Sequence, residues 1–159
     1  MILSDREIKR RIEEGSLVVE PFTEEDLSPN GIDFRLGEEI ADLENNERYS
    51  TDREVVLKPN SSYLAITLQK VEMPLNLIAI VTLKSTWARA GCYISTTVID
   101  AGYRGRLTLA FHTGPKEVKV KKGTKIWHLI FIECYPSSGY KGKYQGLETL
   151  AFADFSRIA

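Results

Sequence analysis

Residues 104–133 read RGRLTLAFHTGPKEVKVKKGTKIWHLIFIE, and this stretch decides the fold class. Three apolar runs, Leu107–Phe111, Val118–Val120 and Lys125–Glu133, are cut by Gly114-Pro115 and Gly123. Runs this short, rich in β-branched and aromatic residues and bounded by turn formers, are read as strands. Working outward, the same pattern gives Ile32–Leu36, Val55–Leu57, Tyr63–Leu68, Leu77–Leu83 and Tyr93–Ser95. Turn signals stand between them at Asn45-Asn46, Pro59-Asn60, Pro74 and Gly102. Many short strands at regular spacing predict a mostly β chain folded as a sandwich, jelly roll or barrel.

Three segments depart from the pattern. At the start, Ser4 and Glu7 form the S-x-x-E capping signature. Leu3 and Ile8 take the staple positions, Ile8 and Ile12 share one face, and Gly15 offers a left-handed stop. A short N-terminal helix of roughly three turns is expected there, packing on a sheet or at a subunit contact. Lys84–Ala90 lacks strand alternation and ends at Gly91, which predicts one short central helix. From Ser137 onward, Gly139, Gly142 and Gly146 alternate with Tyr140, Lys141, Lys143 and Tyr144. That is poor core material with little to pack on in its own chain. The expected organisation is one β domain over 1–136 and a mobile tail over 137–159, anchored by Leu150–Phe155.

Composition limits the partners. A chain of 159 residues, 43% of them hydrophobic, can close one core of its own. A net charge of −1 excludes the broad basic field of a nucleic-acid coat, so no nucleic-acid partner is expected. No apolar run approaches the ~18 residues of a membrane span, so no membrane partner is expected either. MILSDREIKRR is not followed by the apolar core of a signal peptide. Cys92, Cys134, His112 and His128 show no metal-ligand spacing. The expectation is a cytoplasmic protein with both thiols buried and no direct protein–metal site.

Three clusters carry chemistry. In Asn30-Gly31-Ile32-Asp33-Phe34-Arg35 an acid sits where a turn enters a strand; an Asp–Arg pair pinning the turn is an equal reading. In Lys84-Ser85-Thr86-Trp87-Ala88-Arg89 two cations and hydroxyls gather at a helix start, a combination suited to phosphate. Alone, it is also a solvated charged turn. In Thr96-Thr97-Val98-Ile99-Asp100-Ala101-Gly102-Tyr103-Arg104-Gly105 a glycine hairpin presents Asp100 at a strand end. A backbone that can reach a planar base, with a carboxylate beside it, suits a nucleotide; a plain glycine loop is the other reading.

In order along the chain, S-D-x-x-I, N-G-I-D-F-R-L-G, K-S-T-W-A-R-A-G, V-I-D-A-G-Y-R-G, K-G-T-K-I-W-H-L-I-F and Y-K-G-K-Y-Q-G resemble the motifs of the trimeric dUTPase and dCTP deaminase superfamily. The N-terminal helix and the K-Y-Q-G tail look more like the deaminase branch. The resemblance implies a jelly-roll-like distorted β-barrel with a short N-terminal helix and one short central helix. It implies a homotrimer with shared active sites, and the tail closing over the site. Lys84, Ser85, Thr86, Arg89, His128, Lys143 and Gln145 would bind phosphate. Lys84 stands in place of the usual arginine, Thr86 of a serine and His128 of a glutamine. Thr97, Val98, Ile99, Asp100, Tyr103 and Tyr140 would hold base and sugar, and Tyr103 would exclude a 2′-hydroxyl. Asp100, Arg89 and Ser85 would be catalytic.

Ala110 separates two reactions. In deaminases of the superfamily a glutamate lies ten residues beyond the motif aspartate, the position of Ala110 here. Deamination needs a group that moves protons from water to the ring and the departing amine, which alanine cannot do. The expected reaction is therefore dUTP diphosphatase: dUTP to dUMP and pyrophosphate, with Mg²⁺ carried by the triphosphate. dCTP and dTTP are further candidate ligands. The alternatives are a dCTP deaminase, forming dUTP or dUMP, and a catalytically silent nucleotide-binding regulator.

Overall fold

A computed structural model of the chain describes residues 1–157. The first element is α1, Asp5–Glu13, with Ser4 as its cap. Ser4 Oγ accepts the Glu7 N–H at 3.4 Å. The expected return bond from Glu7 is not made, because its carboxylate is drawn to Arg10 and Arg11 instead. Leu3 and Ile8 are buried, and Gly15 turns the chain off the helix at φ 76°.

The strands follow in order: β1 Val18–Glu20, β2 Leu27–Ser28, β3 Gly31–Asp42, β4 Glu47–Ser50, β5 Val55–Leu57 and β6 Ser62–Glu72. After β7, Leu77–Leu83, comes the expected short helix, α2, Ser85–Arg89. Then come β8 Val98–Ile99, β9 Arg104–His112, β10 Val118–Val120 and β11 Lys125–Glu133. One antiparallel sheet runs β1-β6-β3-β11-β7-β8, with β2 and β4 also on β3 and β9 on β6; β5 and β10 form a separate ribbon. The chain is thus mostly β, with a curled sheet of the jelly-roll kind.

β3 is the spine. Ile32–Arg35 pair with β11, and beyond Leu36 the same strand pairs with β6. Registers slip between Leu36 and Ile40, and between Ile66 and Lys70 of β6. Slips of this kind bend and twist a sheet, so this one curls around its core. Buried Gln69 fills the gap so opened: its amide oxygen accepts the Arg35 N–H at 2.9 Å, and its nitrogen donates to the Asp33 carbonyl at 3.3 Å. Trp127, Tyr63, Phe34, Phe111 and Phe131 are fully buried inside the curl, each worth about 1.5–3 kcal/mol of burial. On β9, Leu107, Leu109 and Phe111 face this core, and Thr108, Ala110 and His112 face the other way.

Several expectations are corrected. Tyr93–Ser95 is not a strand. Only Tyr93 bridges, to His112, because the segment crosses from the end of β9 to the edge of β7. Residues 96–105 are not a hairpin: β8 pairs with β7 and β9 with β6, so the two arms enter different parts of the sheet. β1, β2 and β4 were not foreseen; they are short and carry polar or charged residues. Cys92 is buried, but Cys134 only partly. The tail does find partners in its own chain: Leu150 is buried, and Leu147 and Phe152 pack with it on Ala41, Leu64 and Ile66. The anchor stops short of Phe155, which is exposed. Among the described residues no helix is long and apolar enough to cross a membrane.

Candidate functional site

β8 is held against β7, with Val98 opposite Ile80 and Ile99 opposite Ala79. The chain then turns through Asp100, Ala101 and Gly102 into Tyr103 and β9. The turn is tied down by Gly102 N–H to Met73 O at 3.2 Å and Met73 N–H to Tyr103 O at 2.8 Å. Gly102 has φ 80°, and a Cβ there would lie 2.8 Å from the Cα of Gly139. The turn therefore needs glycine twice over, for its backbone angle and for the tail lying flat across it.

A cavity of about 370 Å³ opens beside this turn. Thr97, Val98, Ile99, Asp100, Tyr103 and Tyr140, the six residues named above for base and sugar, all line it. The remaining wall is largely apolar, including Leu43, Leu64, Leu107, Leu109 and Leu147. Sequence reading missed this wall, because the leucines come from the β3–β4 turn, β6, β9 and the tail and no local pattern joins them. The Tyr103 and Tyr140 rings meet edge to face, 5.5 Å apart at 71°. Tyr103 donates its hydroxyl to the Arg106 carbonyl at 2.5 Å, and burial pushes its pKa up to about 12. That tyrosine is therefore a fixed, neutral wall. A largely apolar cavity of this size with few polar groups suits a small-molecule ligand.

Among the described residues Asp100 is the only carboxylate lining the cavity, and it is exposed. Ala110 is half-buried on β9, directly across from Leu64 of the cavity wall, and does not itself line the cavity. Among the described residues no three His, Cys, Asp or Glu side chains are grouped to hold a metal ion. Asp100 is, among the described residues, the cavity's one carboxylate that could ligate Mg²⁺, an ion that takes one or two carboxylates together with substrate phosphates.

The residues named for phosphate lie elsewhere. Lys84 precedes α2, with its N–H on the Ile126 carbonyl at 3.0 Å. Trp87 anchors the helix by donating to the Lys125 carbonyl at 2.8 Å and meeting Phe111 edge to face at 5.5 Å. Ser85, Thr86 and Arg89 are left exposed. Lys84 and His128 both pair with Asp33. None of these five phosphate candidates lines the cavity of its own chain.

Arg35 does not pair with Asp33, as a turn-pinning pair would require. It pairs with Asp26 and Glu25. Burial works against the Asp26 charge, but the bonds from Arg35 and Lys125 outweigh it and hold its carboxyl below the usual range.

In the tail, Lys143 donates to the Asp154 carbonyl at 2.5 Å. Gln145 accepts the Arg104 N–H at 2.7 Å and donates to the carbonyls of Gly102 and Tyr140 at 2.9 and 3.1 Å. Main-chain bonds continue the contact, with Gly146 N–H on Arg104 O at 2.8 Å and Arg106 N–H on Leu147 O at 2.7 Å.

Residues 2–134 match the family described as dCTP deaminase-like. A dCTP deaminase of Acidianus ambivalens is 34% identical, over 98% of each chain. A probable deoxyuridine 5′-triphosphate nucleotidohydrolase of Sulfolobus islandicus rod-shaped virus 1 is 37% identical, over 91% of this chain and 93% of the viral one. Further relatives at 31–35% identity bear the name dCTP deaminase. The crystal structure of 2′-deoxycytidine 5′-triphosphate deaminase from Agrobacterium tumefaciens superposes with a TM-score of 0.73 at 19% identity, covering 82% of this chain. The present chain spans 47% of the length of that structure, which at this identity speaks for the fold alone. Match over most of the chain and identity above 30% with full-length relatives place the protein in the dCTP deaminase-like family.

Proposed function

We propose that the protein is a dUTP diphosphatase that hydrolyses dUTP to dUMP and pyrophosphate. The observation that carries this reading is alanine at position 110, paired across the sheet with Leu64 of the cavity wall, with Asp100 the only carboxylate lining the cavity among the described residues. Hydrolysis at phosphorus needs one base to deprotonate water, and Asp100 can serve. Deamination needs a further group to deliver protons to the ring and the leaving amine.

In the proposed reaction the uracil lies in the cavity against Thr97, Val98 and Ile99, with the sugar on Tyr103. Asp100 takes a proton from a water that attacks the α-phosphorus, and pyrophosphate leaves. Charge grows on phosphate oxygens, where Lys84, Arg89 and the Ser85 hydroxyl stabilise it. Mg²⁺, when bound on the triphosphate, supplies Lewis-acid stabilisation of the same oxygens. The base cavity and the α2 cluster do not meet within one chain. A homotrimer in which α2 of one subunit faces the cavity of the next would complete the site.

The second reading is dCTP deamination, forming dUTP or dUMP. The names of the relatives support it more often than they support hydrolysis. A product assay with dUTP and dCTP, offered separately with Mg²⁺, decides between the two. Pyrophosphate from dUTP without ammonia from dCTP is the expected result. Ammonia from dCTP replaces the proposal with the second reading. Nucleotide binding with neither product makes the protein a silent nucleotide-binding regulator.

A further inference from the structure

We propose that Asp33 is a positioning residue that holds Lys84 and His128 side by side as one phosphate-facing unit. The inference rests on the reading that the α2 end of the site takes phosphate. Asp33 is buried, its side chain only 10% exposed, and each of its oxygens meets a different nitrogen-bearing side chain. Oδ2 accepts from Lys84 Nζ, and Oδ1 meets His128 Nδ1 at 3.1 Å.

Three neighbouring strands build this row. His128 of β11 lies opposite Asp33 of β3 and opposite Thr82 of β7, and Lys84 follows two residues after Thr82. Paired residues on adjacent strands face the same side, and so do residues two apart. Asp33 is also fixed from behind, where Gln69 donates to its carbonyl and accepts the N–H of Arg35. The imidazole has room only because residue 31 is glycine: a Cβ there would lie 2.5 Å from His128 Nε2 and 2.7 Å from Cε1.

An ion pair that only stabilises the fold gains nothing from such surroundings. This one stands immediately before α2, whose Ser85, Thr86 and Arg89 are exposed. Lys84 keeps two of its three N–H donors after bonding Asp33. A carboxylate on one ring nitrogen fixes how the imidazole presents the other. A carboxylate so close to bound phosphate would repel it, so the positioning gain must exceed that repulsion. This makes the sign of the Asp33 effect decisive.

The test measures binding of two probes, a non-hydrolysable imido analogue of dUTP and deoxyuridine, to the full chain and its variants. Asp33→Asn is expected to weaken the analogue about tenfold and leave deoxyuridine unchanged. In a Lys84→Met background the same change should cost less than in the unmodified chain, because only His128 is then left for Asp33 to position. Tighter or equal analogue binding, an equal loss for deoxyuridine, or fully additive losses overturn the proposal. If Asp33→Asn does not fold, Lys84→Met, His128→Ala and their double variant carry the test. A double loss well short of the product of the single losses supports one unit, and a full product overturns it. Failure of the unmodified chain to bind either dUTP or dCTP would instead sink the functional reading beneath it.

Discussion

Ala110 stands directly opposite Leu64 across the β6–β9 pair, and Leu64 is part of the wall of the cavity that also holds Asp100. A longer acidic side chain at 110 would therefore rise beside Leu64, on the face away from Phe111. Ala110→Glu is expected to release ammonia from dCTP where the unmodified chain releases none. Ammonia detection during a dCTP incubation checks this. A variant that binds dCTP yet stays silent would mean that deamination lacks more than this one carboxylate.

Asp100 separates chemistry from folding cleanly. It is exposed, at the start of a turn whose strength comes from main-chain bonds to Met73. Asp100→Asn keeps the shape and removes the base. Turnover of dUTP is expected to fall by about 10²- to 10⁴-fold, while the melting temperature moves by no more than about 2 °C. Steady-state kinetics and a thermal melt on the same preparation check both halves. A large loss of Tm would assign Asp100 to the fold.

The strands were most legible where one stretch of chain holds the whole signal. Val55–Leu57, Leu77–Leu83, Val118–Val120 and Lys125–Glu133 are bounded in the structure as the sequence pattern bounds them. The two arms of 96–105 were misread because a local pattern shows a turn but not which strand each arm will join. The same blindness hid the apolar wall of the cavity. Leu64 and Leu147 are far apart in sequence and meet only after the tail crosses the sheet. The partner of Asp33 was likewise misjudged. Arg35 is near in sequence but faces Asp26, whereas Lys84 and His128 arrive from the neighbouring strands.

Gln145 offers a test of what the tail does. Its side chain bonds to Arg104 N–H and to the Gly102 carbonyl, the backbone of the turn that carries Asp100 and Tyr103. A residue acting on that turn supports base and sugar, whereas one acting on phosphate supports only the triphosphate. Gln145→Glu keeps the acceptor and loses the donor to the Gly102 and Tyr140 carbonyls. It is expected to weaken deoxyuridine, dUMP and a dUTP analogue by the same factor, about tenfold or more for two lost hydrogen bonds. Loss confined to the triphosphate would return Gln145 to the phosphate end.

His112 gives the fold a dependence on pH. Its Nδ1 meets Ser62 Oγ at 2.7 Å, and Tyr93 stacks on the ring at 4.5 Å. Burial pushes the imidazole pKa below its usual value. A lowered folded-state pKa means that the unfolded chain binds the proton first as pH falls. The stability contributed by neutral His112 is thus complete above about pH 6.5 and is lost as pH drops from there toward the folded-state pKa. His112→Gln removes the titrating group while leaving a polar neighbour for Ser62. The fall in melting temperature between about pH 7 and pH 5 should be shallower in this variant than in the unmodified chain. Melts across that window check the sign directly. Parallel curves would place the acid sensitivity on other groups, and a steeper fall in the variant would mean that the folded state favours the imidazolium.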